Sequence, residues 1–494
     1  MSKKSPIFYS ALLLTAVNLL LRLASTSFQV YISSQIGAAG VGLLHLVLSV
    51  GSMALTAGIA GIRTATMYLA AGELGRKKPE NITHVLSGCF LYSIVCSGVI
   101  AVCLYLFAPK IAAAWIGEPQ CIGAIRLLAC FLPVNCLCGV MVGYFTAANR
   151  IGTLAAVEVA EQVFSMAISS AGLILWAKED PGKACTAVIA GSGSGACMTL
   201  ILLTYLRIKE HAPKGTPFPM GKRLLDTAVP LALADDLKAG INTVENLIVP
   251  KRLALYAGTG DPLSVFGTVC GMVFPVLMFP AAIVFSLAEL MIPEMARCAA
   301  AESKIRITYL TRRSLRVVMI YSCVFCGFLH LLAEPLCLWL YESRDAGSYL
   351  SLYALLAPML YCDAIIDAMN KGLGQQKVCV RYNILTATFD VLFLFLLLPK
   401  YGMKGYFFSF LITHLLNFIL SLRLLIKTAG IRISFSVPLI TGLSLLTAIF
   451  LSSILKAPVF RCLAFFLLFT SLLTLCRVIS REDIRWMKGL LKRG

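Results

Sequence analysis

Phe8–Ser33 reads FYSALLLTAVNLLLRLASTSFQVYIS, an apolar run of membrane-spanning length with an arginine at its centre. At about 100° per residue, Asn18, Arg22, Ser25 and Gln29 fall within an arc of roughly 80° on one helical face. A guanidinium facing lipid is expensive, so this stripe must face other helices or a wet cavity. The pattern recurs. A second run holds His45, Ser49, Ser52, Thr56 and Arg63, and a seventh holds Asp235, Lys238, Asn242 and Glu245. Apolar helices that turn polar stripes inward form a wet interior, the arrangement expected of a transporter.

Working outward, similar runs fill the chain at about 8–33, 41–70, 84–108, 121–147, 152–177, 184–206, 223–250, 262–292, 314–334, 349–370, 380–399, 403–426, 433–455 and 459–479. The composition, 59% hydrophobic and 14% charged over 494 residues, leaves no room for a sizeable soluble domain. The expected fold is an all-α integral membrane protein of about 14 transmembrane helices. Lys3 and Lys4 precede a run too long for a cleaved signal peptide, so it is read as a retained first helix.

The formal charge is +19, which raises nucleic acid as a partner. The cations instead bracket apolar spans. With an inside N-terminus and alternate loops cytoplasmic, about 29 Lys/Arg lie inside and about 10 outside. The inside clusters include Arg76-Lys77-Lys78, Lys304–Arg316 and the tail from Arg477 to Arg493. Membrane topology therefore explains the charge. The reading is a multi-pass protein of the cell membrane with both termini cytoplasmic and no nucleic-acid partner. Asn81-Ile82-Thr83 matches a glycosylation sequon but falls inside by the same charge argument.

The longest hydrophilic connection, 207–222, carries Lys209, His211, Pro213, Lys214, Gly215, Pro217 and Pro219. It divides a six-helix lobe at 1–206 from a second at 223–427, and 428–494 adds two helices and a basic tail. Pro109, Trp115 and Pro133 recur about 225 residues later as Pro335, Trp339 and Pro358, and the basic loop Gly72–Glu80 recurs as Arg297–Arg306. Six spans per lobe give both the same orientation, which implies a pseudo-two-fold axis along the membrane normal and a cavity between the lobes.

Several motifs point away from chemistry. Gly191-Ser192-Gly193-Ser194-Gly195 lies inside an apolar span, with neither a preceding strand nor a Lys-Ser/Thr end. Close helix packing explains it better than phosphate binding. No Walker A sequence occurs, and the five histidines lack metal-ligand spacing. Cys323 and Cys326 form a C-x-x-C without a redox context, so they read as small apolar residues. Neither an enzyme activity nor a metal site is expected.

The charged stripes carry the functional reading, each weighed against a structural one. Arg22 could form a buried ion pair, and Arg63 could snorkel to the interface. Asp235 and Lys238, three apart, could partly neutralise each other. Glu245 is followed by Asn246 and Pro250, where a helix break would free carbonyls. Three further stripes, at Glu158, Glu161 and Ser165, at Asp363, Asp367 and Asn370, and at Asn383, Thr386 and Asp390, are open to either reading.

With these residues in place, the chain resembles the stage V sporulation protein B group of polysaccharide flippases, in the superfamily that also holds lipid II flippases and multidrug extruders. Arg22 followed by Gln35–Leu43 (QIGAAGVGL) is similar to the family's arginine-bearing first helix and its I-G-x-x-G-V-G-L turn. Val244–Leu253 (VENLIVPKRL) resembles its Glu and I-P-x-x-L segment. Gly271–Pro275 with Phe279-Pro280 resembles its eighth helix, and Met291–Glu294 that helix's end. Lipid II flippases carry a second arginine and an acidic residue soon after the first; Phe28 and Gln29 stand here. Their second-helix cation has no clear match, Arg63 lying deeper. The cavity role therefore transfers to Arg22 and Glu245, while Asp235 and Lys238 rest on the helical-face argument.

The resemblance implies a flippase that carries an undecaprenyl-pyrophosphate-linked sugar precursor, such as lipid II for spore cortex peptidoglycan, by alternating access. A pyrophosphate cannot enter hydrocarbon without prohibitive desolvation, and a hydrated cationic cavity replaces the lost solvent. An inside-negative potential favours outward movement of an anion by about 2.3 kcal/mol per charge per 100 mV. The cavity residues expected are Arg22, Gln29, Arg63, Asp235, Lys238, Asn242 and Glu245. Asp235 and Asp236 with Thr386 and Asp390 are the expected coupling groups, as oxygen ligands for Na⁺ or as a site for H⁺, since burial disfavours a charged carboxylate; no other cofactor is expected. The partners expected are lipid-linked saccharide, membrane lipid and enzymes of wall synthesis. Two other functions stay open: a cation-coupled multidrug exporter of the same fold, for which Glu158, Asp363, Asp367 and Asp390 would suit organic cations, and a non-transporting scaffold for wall-synthesis enzymes.

Overall fold

The structure, a computed structural model, describes residues 6–59, 61–75, 79–177, 180–209, 221–258, 260–430, 436–455, 457–476 and 478. Within them the secondary structure is helical: α1 (Pro6–Ile59), α2 (Ile62–Gly75), α3 (Ile82–Lys110), α4 (Ile122–Ala147), α5 (Ile151–Leu175), α6 (Pro181–Lys209), α7 (Gly221–Leu253), α8 (Pro262–Gly267), α9 (Phe274–Met278), α10 (Ala281–Ala300), α11 (Lys304–Tyr341), α12 (Arg344–Ala354), α13 (Ala357–Gly372), α14 (Gln376–Tyr401), α15 (Met403–Ala429), α16 (Ser436–Ser453) and α17 (Pro458–Leu475). The chain forms two compact units, one of 1–267 with 391–403 and the other of 268–390 with 404–494. The expected linker at 207–222 lies largely outside the described residues, as do Arg76-Lys77-Lys78.

Among the described residues, ten helices are long and apolar enough to cross a membrane, or twelve if the bent pairs Pro262–Met278 with Ala281–Ala300 and Arg344–Ala354 with Ala357–Gly372 each count as one span. The protein is thus a multi-pass membrane protein. The difference from the expected fourteen has two physical sources. The run Leu19–Leu74 counts once, although Gly37 kinks it with φ 68°, a conformation glycine adopts without Cβ strain. Helix α7 is not counted; it carries Asp226, Asp235, Asp236, Lys238 and Glu245, and these charges lower its apolarity.

Proline and glycine set the remaining breaks. Pro109 near the end of α3 precedes a wider π turn at Ile111–Ile116, closed by Gly117 with φ 90°. Phe279-Pro280 separates the 61° bent pair, and Pro358 opens α13 after its 54° bend. Pro removes an amide donor and clashes with the preceding turn, which is why the spans bend there.

In the first unit the core gathers Ile62, Val85, Cys89, Val140, Phe145 and Leu203. Close backbone approach is purchased with glycine. A Cβ on Gly42 would stand 2.4 Å from the Leu263 carbonyl, and one on Gly267 would stand 1.9 Å from that of Ala38. Small residues at helix crossings are the usual means of packing where lipid removes the hydrophobic drive. In the second unit, Phe274, Tyr353, Tyr406 and Phe410 form an aromatic nucleus. Helix α17 docks on α11 because Gly327 leaves a slot that the Phe465 ring fills. Outward-facing side chains are apolar, as lipid requires: Leu175, Trp339, Phe450 and Leu475 are all exposed.

Candidate functional site

The first unit carries polar side chains on three walls. On α1, Arg22 and Gln29 are half-buried, and Gln162 of α5 donates to Ser25 Oγ in the same stripe at 3.3 Å. This face of α1 therefore turns toward α5. The side chain of Asn18 lies outside the described residues.

On α2, Arg63 lies in the first turn, two residues after Gly61 with φ 72°. Helix α4 reaches its backbone closely, since a Cβ on Gly143 would stand 2.4 Å from the Arg63 carbonyl. The side chain is exposed yet close enough to Glu158 of α5 for the two charges to interact. One turn along α5, Glu161 Oε2 accepts from Thr199 of α6 at 2.7 Å. The stripe Glu158–Glu161 thus meets a cation on one side and a hydroxyl on the other. A cavity of about 230 Å³ opens among α1, α4 and α6, where Ser52, Asn135 and Ser192 supply its polar lining.

The third wall is α7, tied to α1 by two bonds to one residue. Thr243 donates to the Ser49 carbonyl at 3.0 Å, and Asn246 Nδ2 donates to Ser49 Oγ at 2.9 Å. Thr243, Val249 and Leu253 are buried on the packed face. Lys238 and Asn242 are exposed beside that face and Glu245 is half-buried, while Leu237 and Val244 are exposed across the helix. The side chain of Asp235 lies outside the described residues, and Asp236 is half-buried near Tyr92 of α3.

The second unit holds a polar seam that charge-based reading of the sequence missed. Ser409, Thr413, Asn417 and Ser421 recur every fourth residue on α15, and all four are buried. Ser409 and Thr413 donate to Asp390 Oδ1 of α14 at 2.5 and 3.1 Å. Asn417 donates to Asp363 Oδ2 of α13 at 2.9 Å, and Asn370 Nδ2 donates to the Ser421 carbonyl at 2.9 Å. Asp390 is 4% exposed, and among the described residues no lysine or arginine pairs with it. The buried oxygens Asp363 Oδ1, Asn370 Oδ1 and Asn417 Oδ1 have no hydrogen-bond partner among the described residues, an unusual concentration for a native interior. Thr386, expected beside Asp390, is buried one turn away, and its hydroxyl donates to the Tyr382 and Asn383 carbonyls of its own helix. Asp367 is held by Lys371 at 2.6 Å. The four uncharged residues of α15 were legible as an i, i+4 stripe, had hydroxyls and amides been weighed with charges.

These features define a class: a helical multi-pass membrane protein that carries polar side chains on inward-turned helix faces in each of two units. The MatE family description matches residues 14–175. Stage V sporulation protein B of Bacillus subtilis (strain 168) is 19% identical over 417 residues, covering 81% of this chain and 80% of that protein. Among solved structures, lipid II flippase MurJ in an inward closed conformation aligns with a TM-score of 0.69, at 12% identity over 95% of this chain and 100% of that one. An inward-facing multidrug resistance MATE family transporter of the MOP superfamily gives a TM-score of 0.67 at 13% identity, over 84% of this chain and 98% of that one. The fold is the one these transporters share, and the likeness to stage V sporulation protein B read from the motifs is borne out.

Proposed function

We propose that this protein is a flippase that moves an undecaprenyl-pyrophosphate-linked sugar precursor across the cell membrane by alternating access, with both termini in the cytoplasm. One observation carries the reading: Arg22 is half-buried on a polar face of α1 that turns toward α5, within a fold shared with a lipid II flippase. A guanidinium in that setting replaces water around a diphosphate and matches its geometry. Arg63, Lys238, Asn242 and Glu245 extend the polar lining, and Gln29 offers an amide to the saccharide. Lipid II for spore cortex peptidoglycan is the proposed cargo, and enzymes of wall synthesis are the proposed partners.

Asp390 with Ser409 and Thr413 is the proposed coupling site. A carboxylate and two hydroxyls offer hard oxygen donors that suit Na⁺, or one carboxylate that takes up H⁺. A buried charge with no ion-pair partner is costly, so cation binding there would alter the packing of α14 on α15.

The multidrug reading has its own support in the buried Asp390, within electrostatic reach of Tyr353 in the aromatic nucleus, and in the half-buried Asp363, acids that suit an organic cation. Proteoliposomes loaded with labelled lipid II or with a cationic dye, under independently set Na⁺, pH and electrical gradients, separate the two. Movement of lipid II that slows in Asp390→Asn supports the flippase and its coupling. Dye movement without lipid II movement replaces it with the exporter.

A further inference from the structure

Helices α11, α13, α15 and α16 of the second unit enclose a cavity of about 370 Å³. Ile366, Phe418, Leu422 and Val437 wall it with hydrocarbon, and Arg312 and Arg316 stand at one side, one turn apart on α11. We propose that this groove holds one acyl chain of an anionic glycerophospholipid from the surrounding leaflet, with the lipid phosphate against Arg312 and Arg316.

Three features argue for this occupant. Residues four apart share a helical face, and Arg312 and Arg316 both line this one cavity; their planar forks match a phosphate diester. The volume is that of a small-ligand pocket, enough for much of one hydrocarbon chain. The groove also borders lipid: α16, which supplies Val437 to the wall, turns Leu439 and Leu443 outward with 64% and 57% exposure. Basic pockets between membrane helices recognise acidic headgroups in this way.

The chemistry of the lining selects among lipids. Apart from the two arginines, the walls present carbon and sulfur, so nothing there satisfies the hydroxyls of a saccharide. A zwitterionic headgroup brings its own ammonium toward the arginines and is disfavoured. Arg306, outside the lining, lies 2.6 Å from Glu294, which Arg297 also approaches at 3.5 Å. A lipid seated here would brace α16 against α11. The inference does not depend on what the protein transports.

The test uses the full chain, delipidated in detergent and examined by native mass spectrometry with added phosphatidylglycerol, phosphatidylethanolamine or undecaprenyl phosphate. Wild type should retain one phosphatidylglycerol at least tenfold more tightly than phosphatidylethanolamine. Arg312→Ala with Arg316→Ala should abolish that preference, the double lysine variant should keep part of it, and Leu422→Trp should block binding by filling the groove. Arg297→Ala with Arg306→Ala removes equal charge nearby and should change nothing. If the alanine pair misfolds, Leu422→Trp decides alone. The proposal is overturned if the preference survives the alanine pair or Leu422→Trp, or is lost equally in the Arg297/Arg306 variant. It is also overturned if undecaprenyl phosphate binds where phosphatidylglycerol does not.

Discussion

A methyl group added at Gly191 meets backbone, and the consequence can be worked through. A Cβ there would stand 2.0 Å from Ser169 Oγ, 2.6 Å from the Ser165 carbonyl oxygen and 2.8 Å from the Ser169 nitrogen, all on α5. The hydroxyl can rotate away, losing its 3.4 Å bond to the Val188 carbonyl. The two backbone atoms cannot. Ordinary contact begins near 3.4 Å, so α5 and α6 must part by about 0.8 Å. A gap of that size forfeits roughly a quarter to a half of each contact's attraction along the interface. The cost of Gly191→Ala therefore falls at or above the upper end of the roughly 1–3 kcal/mol typical of overpacking. Helix propensity returns at most about 1 kcal/mol. Gly98→Ala on α3 meets nothing within 4 Å and isolates that propensity gain. Most of the eighteen cysteines are buried and free, so a thiol-reactive dye reports unfolding directly. Gly191→Ala should melt several degrees below wild type and Gly98→Ala no lower than wild type. Equal melting of Gly191→Ala and wild type would refute the argument that glycine at this position sets the α5–α6 distance.

Three further outcomes follow from individual contacts. Thr199→Val strips Glu161 of its 2.7 Å donor and should destabilise by about 1–3 kcal/mol in the same melt, with Thr199→Ser restoring stability. On α7, cysteines placed at 238 and 242 should react with a membrane-impermeant maleimide in a background without other reactive thiols, while those at 237 and 244 should resist it; equal labelling would remove the polar-wall reading of α7. Asp180 caps α6, and the Lys183 amide, then the Gly182 amide and the Lys183 ammonium, hold its carboxyl below the usual carboxylate range. A depressed pKa gives stability that is present above the ordinary value of about 4 and lost as pH falls through the lower folded value. The melting difference between wild type and Asp180→Ala should accordingly stay constant from about pH 7 to 5 and shrink only below about pH 4.

Much of the fold was legible because lipid leaves few choices: a long apolar run must be a helix, and a charge within it must turn inward. The stripe through Arg22 and Ser25 does meet α5, and the glycines of 191–195 do serve packing, Gly191 and Gly195 against α5 and Gly193 against the Phe131 ring. Composition could not say that Phe8–Ser33 and the run after it join through a kink at Gly37, since glycine permits a loop as readily. The seam along α15 escaped for a different reason. Serine and threonine hydroxyls can bond their own helix and so stand out less than a charge, which left this stripe in the shadow of the charged ones; its partners Asp390 and Asp363 lie on α14 and α13. Those pairings depend on which helices become neighbours, a tertiary fact with no local signature. Thr386 lies on the expected face, one turn from Asp390, and its hydroxyl donates to the Tyr382 and Asn383 carbonyls of its own helix.

The central claim is that Arg22 handles an anionic lipid-linked headgroup. Its most direct test is the rate at which proteoliposomes move fluorescent lipid II between leaflets, compared for wild type, Arg22→Ala and Arg22→Lys at equal insertion. Arg22→Ala should lose nearly all movement, and Arg22→Lys should recover part of it, because charge supplies most of the interaction with a mobile diphosphate and fork geometry the remainder. Full activity of Arg22→Ala, or no lipid II movement by the wild type under any gradient, would contradict the account.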